Sequence, residues 1–190
     1  MKMILQKDAL VLRQVAEEVK ITEIKTPKIQ KIISEMKEAL AGEADGVAIA
    51  APQIGYSLRI FVVSKKVLNL KLAQPNSKKS DKTKINESQK KESLSDLVFI
   101  NPKLIKISKE KITLEEGCLS VRWLYGEVKR AVKATVFAYD EYARPFSRGA
   151  AGLMAQIFQH EVDHLNGILF TDKANNLREI KPENKDKAST

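Results

Sequence analysis

The chain has only two histidines, His160 and His164, and they stand four residues apart with Glu161 directly after the first. Residues four apart on an α-helix are separated by about 40° around its axis, so both imidazoles can reach one ion. Leu153, Ile157, His160 and His164 fall on one helical face beside Met154, Phe158, Glu161 and Leu165. The spacing therefore predicts a helix that is apolar enough to be buried and yet carries a metal site. The glutamate after the first histidine projects near the same face without having to bind, which puts a carboxylate where it can take a proton from water at the ion. The bland alternative is two surface histidines with an unrelated acid between them. Chance would produce this arrangement from two histidines well under about one time in a hundred, so metal-assisted hydrolysis is the working expectation.

The rest of the chain is organised around that helix. Ile29, Ile32, Ile33, Met36 and Leu40 recur at helical spacing after Thr26 and Pro27, which suit an N-cap and a first helical position, and the helix should end near Gly42. A glycine- and alanine-rich stretch, Gly46 to Gln53, leads into Arg59-Ile60-Phe61-Val62-Val63, a buried strand by its β-branched run. After Ser64 the chain is rich in Lys, Ser, Asn and Gln until about Ser95, and this reads as a loop. Leu97 to Ile100 reads as a strand closed by Asn101-Pro102, and Lys103 to Thr113 and Val132 to Tyr139 alternate as strands do. A polar turn lies around Asp140 to Pro145, and from Ser147 the period becomes helical until Gly167. The polar tail after Lys173 has no apolar stripe and is expected to be loosely held. Strands grouped between helices imply an α+β fold.

At 190 residues and 43% hydrophobic content, one domain with a real core is expected. No apolar run approaches the roughly 18 to 20 residues that span a bilayer, and Met1 to Leu5 runs into Lys7 and Asp8 without a signal-peptide h-region. The single cysteine, Cys118, cannot form an intrachain disulfide. These features predict a cytoplasmic protein without a membrane partner. The net charge is +9, but residues 65 to 91 hold nine lysines against Asp81 and Glu87, so most of the excess sits in one segment. That argues against a sequence-specific nucleic-acid face on the folded core. The segment reads as a solvated insertion, with a patch for an anionic surface such as RNA as the sharper alternative.

Two imidazoles are too few for a catalytic metal, which usually has three protein ligands and an open position. Some helical H-E-x-x-H hydrolases use a histidine six residues past the second, where this chain has Phe170. Others use a glutamate well downstream, and Glu179 is the residue available for that role, although it lies in the polar tail. Cys118 is the better candidate. Its thiolate is a strong ligand for a divalent ion, and Gly117 beside it allows close backbone approach.

Three segments in this order, Gly46-Val47-Ala48-Ile49-Ala50-Ala51-Pro52-Gln53, Glu116-Gly117-Cys118-Leu119-Ser120 and Gln159-His160-Glu161-Val162-Asp163-His164, resemble the peptide deformylases. Asn101-Pro102, Gly152-Leu153 and Leu165-Asn166-Gly167 extend the resemblance over roughly residues 5 to 172. It implies antiparallel or mixed β-sheets packed around a central metal-binding helix, with an N-terminal helix. Residues 1–172 would form one catalytic domain carrying the lysine-rich insertion at about 74–95, and 173–190 a polar tail. The implied activity is hydrolysis of the N-formyl group from the formyl-methionine of newly made polypeptides, with release of formate.

The resemblance further implies Cys118, His160 and His164 as ligands to one divalent ion, Fe2+ in the cell, with Zn2+, Ni2+ or Co2+ able to occupy the site in purified protein. Glu161 would move the protons, and the Gln53 amide and Leu119 backbone N–H would stabilise the oxyanion. Gly46, Val47, Ala48 and Gly117 would pair with the substrate backbone, and Leu153 and Ile157 would receive the methionine side chain. Glu116, Arg130 and Asp163 would orient the ligands. Nascent chains at the ribosome surface near the exit tunnel would be the partners. Two departures bear on substrate preference: Ala48 stands where a glycine is usual, its Cβ narrowing the cleft or demanding a negative φ, and Arg122 stands where a proline is common. The competing readings are a zinc endopeptidase that uses Glu179, and a non-catalytic deformylase-like module that binds the ribosome.

Overall fold

The structure, a computed structural model, describes residues 2–72 and 95–181. Three α-helices, α1 (Pro27–Ala41), α2 (Lys65–Leu72) and α3 (Leu153–Leu165), and four short 3-10 turns accompany eight strands among these residues. Strands β1 (Ala48–Ala50), β2 (Ile60–Val63), β3 (Leu97–Ile107), β6 (Lys133–Tyr139) and β7 (Pro145–Ala151) form a five-stranded sheet in the order β1-β2-β3-β6-β7. Strands β4 (Lys111–Gly117), β5 (Leu124–Ala131) and β8 (Asn175–Glu179) form a second sheet in the order β4-β5-β8. All the strand pairings within these sheets are antiparallel, and the α+β expectation holds.

Side-chain alternation explains why β2 and the start of β3 are continuously apolar. Phe61, Val63 and Phe99 point to one face and pack with Val136, Ala138, Met154, Ile157, Phe158 and Val162, so α3 covers that side. Ile60, Val62, Val98 and Ile100 point to the other, against Ile29, Ile32, Ile33, Met36 and Leu40 of α1. A sheet buried on both faces needs no polar alternation. Phe61 and Phe99 stack at 4.4 Å between centroids, and Phe158 meets Phe99 edge-on at 5.3 Å. Helix α3 contacts β1, β3, β6 and β7 of one sheet and β5 of the other. Gln159 ties it to the end of β5: its Oε1 accepts the Ala131 N–H at 2.9 Å, and its Nε2 donates to the Ala131 carbonyl at 3.0 Å.

Five local expectations are corrected. Asn101-Pro102 does not close a strand, because β3 runs through it. Asn101 takes φ 51°, its side chain bonds both the N–H and C=O of Val19, and the register shifts between Ile100 and Lys103. Proline is tolerated at that bulge because the ladder is interrupted there. The alternation from Lys103 to Thr113 belongs to two strands in different sheets, β3 and β4. Residues 147–151 are not helical but complete edge strand β7, and α3 begins only after Gly152 at φ +60°. Residues 65–72, read as loop, form α2, whose Val67 joins the core while Asp96 accepts the Lys65 N–H at 2.9 Å. Residues 175–179, read as loose tail, pair with β5, and Gly126 makes room for Leu177 and Ala174. The insertion at 74–95 lies outside the described residues apart from its last position.

Phe158 is fully buried between the sheet and α3. Phe158→Ala is expected to lower unfolding free energy by about 3 to 5 kcal/mol, read from urea denaturation at constant metal loading.

Candidate metal centre

Cys118 follows the last residue of β4, and His160 and His164 project from successive turns of α3. Their candidate ligand atoms all lie within 4.8 Å of one another, with Cys118 Sγ 3.1 Å from His164 Nε2. That is the span of one ion's coordination sphere, and a thiolate with two imidazoles suits a divalent transition metal. Glu161 Oε2 is buried with no hydrogen-bond partner among the described residues, as expected of a carboxylate that serves a small molecule rather than the fold. Glu179, the alternative ligand, is an exposed strand residue paired with Leu124 and lies outside this group.

A cleft of about 300 Å³ opens over the cluster. Gly46, Val47 and Ala48 line one wall, next to the free edge of the five-stranded sheet. Glu115, Glu116 and Gly117 line the other, on the free edge of the three-stranded sheet. Gln53, Cys118, Leu119, Leu153, Ile157, His160 and Glu161 also line it; of the residues named from the sequence, His164 and the orienting residues Arg130 and Asp163 lie behind the cleft, and Glu179 lies outside it. Ala48 sits in β1 without a positive φ, so its Cβ causes no backbone strain. At Gly46 a Cβ would stand 2.9 Å from Leu40 Cδ1 and 3.0 Å from Glu43 Cβ, so a side chain there would have to push its neighbours aside. At Gly117 a Cβ would strike the Tyr125 ring at 2.8 Å.

The family model described as Polypeptide deformylase matches residues 1–179. The peptide deformylase of Carboxydothermus hydrogenoformans is 39% identical over 167 residues, covering 88% of this chain and 89% of its own. This chain belongs to the peptide deformylase family. The solved structure of the Thermotoga maritima enzyme superposes with a TM-score of 0.70 at 30% identity, over 92% of this chain and 98% of that one. The Met-Ala-Ser-bound class I type b peptide deformylase of Acinetobacter baumannii gives 0.71 at 28% identity, over 91% and 98%.

Within this deformylase fold the candidate ligand His160 is held by a buried ionic network. His160 Nδ1–H donates to Glu116 Oε2 at 3.0 Å, which leaves Nε2 available to a metal ion. Arg130 donates from Nε and Nη2 to the two Glu116 oxygens at 2.7 and 2.8 Å, and from Nη1 to Asp163 Oδ2 at 2.6 Å. Lys173 closes the far side of Asp163 at 2.6 Å. Burial pushes the Glu116 carboxyl up, but the Arg130 and His160 hydrogen bonds outweigh it and hold it at about 2. Burial likewise raises the Cys118 thiol, yet the two imidazoles bring it down to about 5. The Ser120 N–H at 3.4 Å and the Gln53 amide at 3.5 Å also point at its sulfur. Glu161 is pushed up to about 7, chiefly by burial.

Gln53 is fixed by its other end. Its Oε1 accepts the Ala50 N–H at 2.7 Å, which turns Nε2 toward Cys118 and Ser120 Oγ, the latter at 3.1 Å. The Leu119 carbonyl accepts from Gln6, while its N–H has no acceptor among the described residues. Sequence reasoning missed Asp45, Trp123, Tyr125 and Gln156 as cleft residues. Only the glycine before Cys118 hinted that a bulky neighbour such as Tyr125 would lie there.

The depressed pKa of Glu116 means that its contribution is fully present above the unfolded value of 4.5 and is lost as pH falls toward about 2. Glu116→Gln should therefore cost about 3 kcal/mol at neutral pH. Urea titrations of the metal-free protein should show the gap to wild type narrowing as pH is lowered from about 6 to 3.

Proposed function

We propose that this chain removes the N-formyl group from the N-terminal formyl-methionine of newly made polypeptides, releasing formate, by water activated between Glu161 and a divalent ion. What supports the reading is the convergence of Cys118, His160, His164 and the unpartnered Glu161 carboxylate beneath a cleft bounded by two sheet edges. Cys118, His160 and His164 would hold the ion, Fe2+ in the cell, with Zn2+, Ni2+ or Co2+ as substitutes in purified protein. Bound there, such an ion is a Lewis acid that acidifies water and polarises the formyl carbonyl.

The remaining chemistry belongs to the chain. Glu161 accepts a proton from the attacking water through Oε2. It returns one to the methionine nitrogen as the C–N bond breaks, so formate and a free amine leave. The Gln53 amide and the Leu119 N–H donate to the oxygen that becomes negative in the tetrahedral state. Gly46, Val47, Ala48 and Gly117 hold the peptide backbone extended between the two edges, like an added strand. Leu153 and Ile157 receive the methionine side chain. Glu116 orients His160, and Arg130 with Asp163 fixes Glu116 against the helix.

This reading places the protein in the cytoplasm, acting on nascent chains near the ribosomal exit tunnel, where the lysine-rich segment adds positive charge to the encounter. No helix of the described residues is long and apolar enough to cross a membrane.

The test is formate release from formyl-Met-Ala-Ser by anaerobically prepared protein loaded with Fe(II) or Ni(II). Wild type should turn over and a chelator should abolish it. Glu161→Ala should keep one metal per chain by elemental analysis and lose at least about 100-fold in kcat. Cys118→Ala should lose the metal, whereas an endopeptidase built on Glu179 would retain both metal and activity. Metal-loaded wild type that releases no formate would falsify the assignment.

A further inference from the structure

Arg122 is unusual in this cleft because it spans it. It follows the Cys118-Leu119-Ser120 segment on the loop between β4 and β5, and its partners lie across the cleft on the loop between α1 and β1. Nη1 donates to Asp45 Oδ2 at 2.7 Å, Nη2 reaches Asp45 Oδ1 at 3.4 Å, and Nη2 also donates to Glu43 Oε2. The guanidinium lies 5.1 Å from the centroid of the Trp123 ring, which lines the same cleft. Gly46-Val47-Ala48 follows Asp45 directly, so whatever holds Asp45 holds the start of that wall. Lys66 holds the same loop from behind, donating to the Glu43 and Ala44 carbonyls at 3.3 and 3.5 Å. The Arg122 hydrogen bond keeps the Asp45 carboxyl below its ordinary range, so the bridge is ionised at neutral pH.

Exposure locates the bridge along the cleft. Gln53 and Glu161 are 2% and 3% exposed and mark its floor, whereas Val47 is 37% exposed and the Asp45 side chain 57%. The bridge therefore lies at the mouth.

We propose that Arg122 is a positioning residue that latches the two walls of the cleft mouth through Asp45 and Glu43, and so sets the affinity for the part of the peptide beyond the formyl-methionine. The inference rests on the deformylase reading. A partly exposed ion pair contributes modestly, so the effect is a few-fold and falls on binding. A substrate that ends at methionine occupies only the floor and is indifferent to the latch. A longer one must pass between the held walls, which the latch keeps in place without reordering the Gly46 loop at each encounter.

Metal-loaded full-length protein is assayed for formate release on formyl-Met-Ala-Ser and on formyl-methionine amide. Arg122→Ala should raise KM for the tripeptide by about 3- to 10-fold, with kcat and the amide's KM changed less than about twofold. E43Q/D45N should raise the tripeptide KM by a similar factor, and combining it with R122A should add little, because both remove one interaction. R122K, which keeps the charge but loses the two-pronged geometry, should fall between. Should R122A fail to fold, E43Q/D45N and R122K carry the test. An unchanged tripeptide KM, an equal rise for both substrates, or additive effects would overturn the latch while leaving the deformylase reading intact. Absence of formate release by wild type would instead remove the reading on which the latch rests.

Discussion

One buried guanidinium organises the centre of this protein. Arg130, on the middle strand of the three-stranded sheet, is 4% exposed and grips Glu116 on the neighbouring strand and Asp163 on α3. Glu116 passes the constraint to His160, and Lys173 closes the chain on the far side of Asp163. Buried charges of this kind are costly to desolvate, and replacing such a network by apolar residues often stabilises a fold. Its retention makes sense as positioning. The network fixes how the β4-β5 sheet sits against α3, and hence where Cys118 arrives relative to two histidines 42 and 46 residues later in the chain.

The apolar framework supplies the other half of that placement. Helix α3 lies on the five-stranded sheet through Phe158 and its aromatic neighbours, while α1 covers the opposite face. Because the helix is anchored to one sheet by packing and to the other by Arg130 and Gln159, the free edges of both sheets border one cleft. Among the described residues neither edge is covered by a neighbouring strand, so the cleft is bounded by backbone groups available to an extended chain.

Much of this was legible in residue spacing. The four-residue separation of His160 and His164 specified a helix, and the run Ile60 to Val63 specified a strand buried on both faces. What escaped depended on tertiary partners. Asn101-Pro102 carries a strong local stop signal, yet β3 continues because the Asn101 side chain replaces a ladder bond with bonds to Val19. Residues 175–179 have no apolar stripe, and their strand exists through backbone pairing to β5 and the space left by Gly126. Leu153 onward dominates a helical window and draws the apparent change of period back to Ser147, whereas an edge strand and a positive-φ glycine precede the helix. Arg122 stood out in sequence only as a departure from the family pattern, since the carboxylates it meets lie some eighty residues upstream.

Two carboxylates flank His160, and their surroundings divide the work between them. Glu116 faces a guanidinium that donates twice to it, so it stays ionised down to about 2 and can only accept hydrogen bonds. Glu161 is as deeply buried but has no cation bonded to it, and desolvation brings it to about 7, where it can exchange protons at neutral pH. A divalent ion held by Cys118, His160 and His164 would favour the ionised form of both groups, since its charge would act on each. The asymmetry between a carboxylate suited to orienting a ring and one suited to exchanging protons is set chiefly by Arg130, the residue that also joins the sheet to the helix.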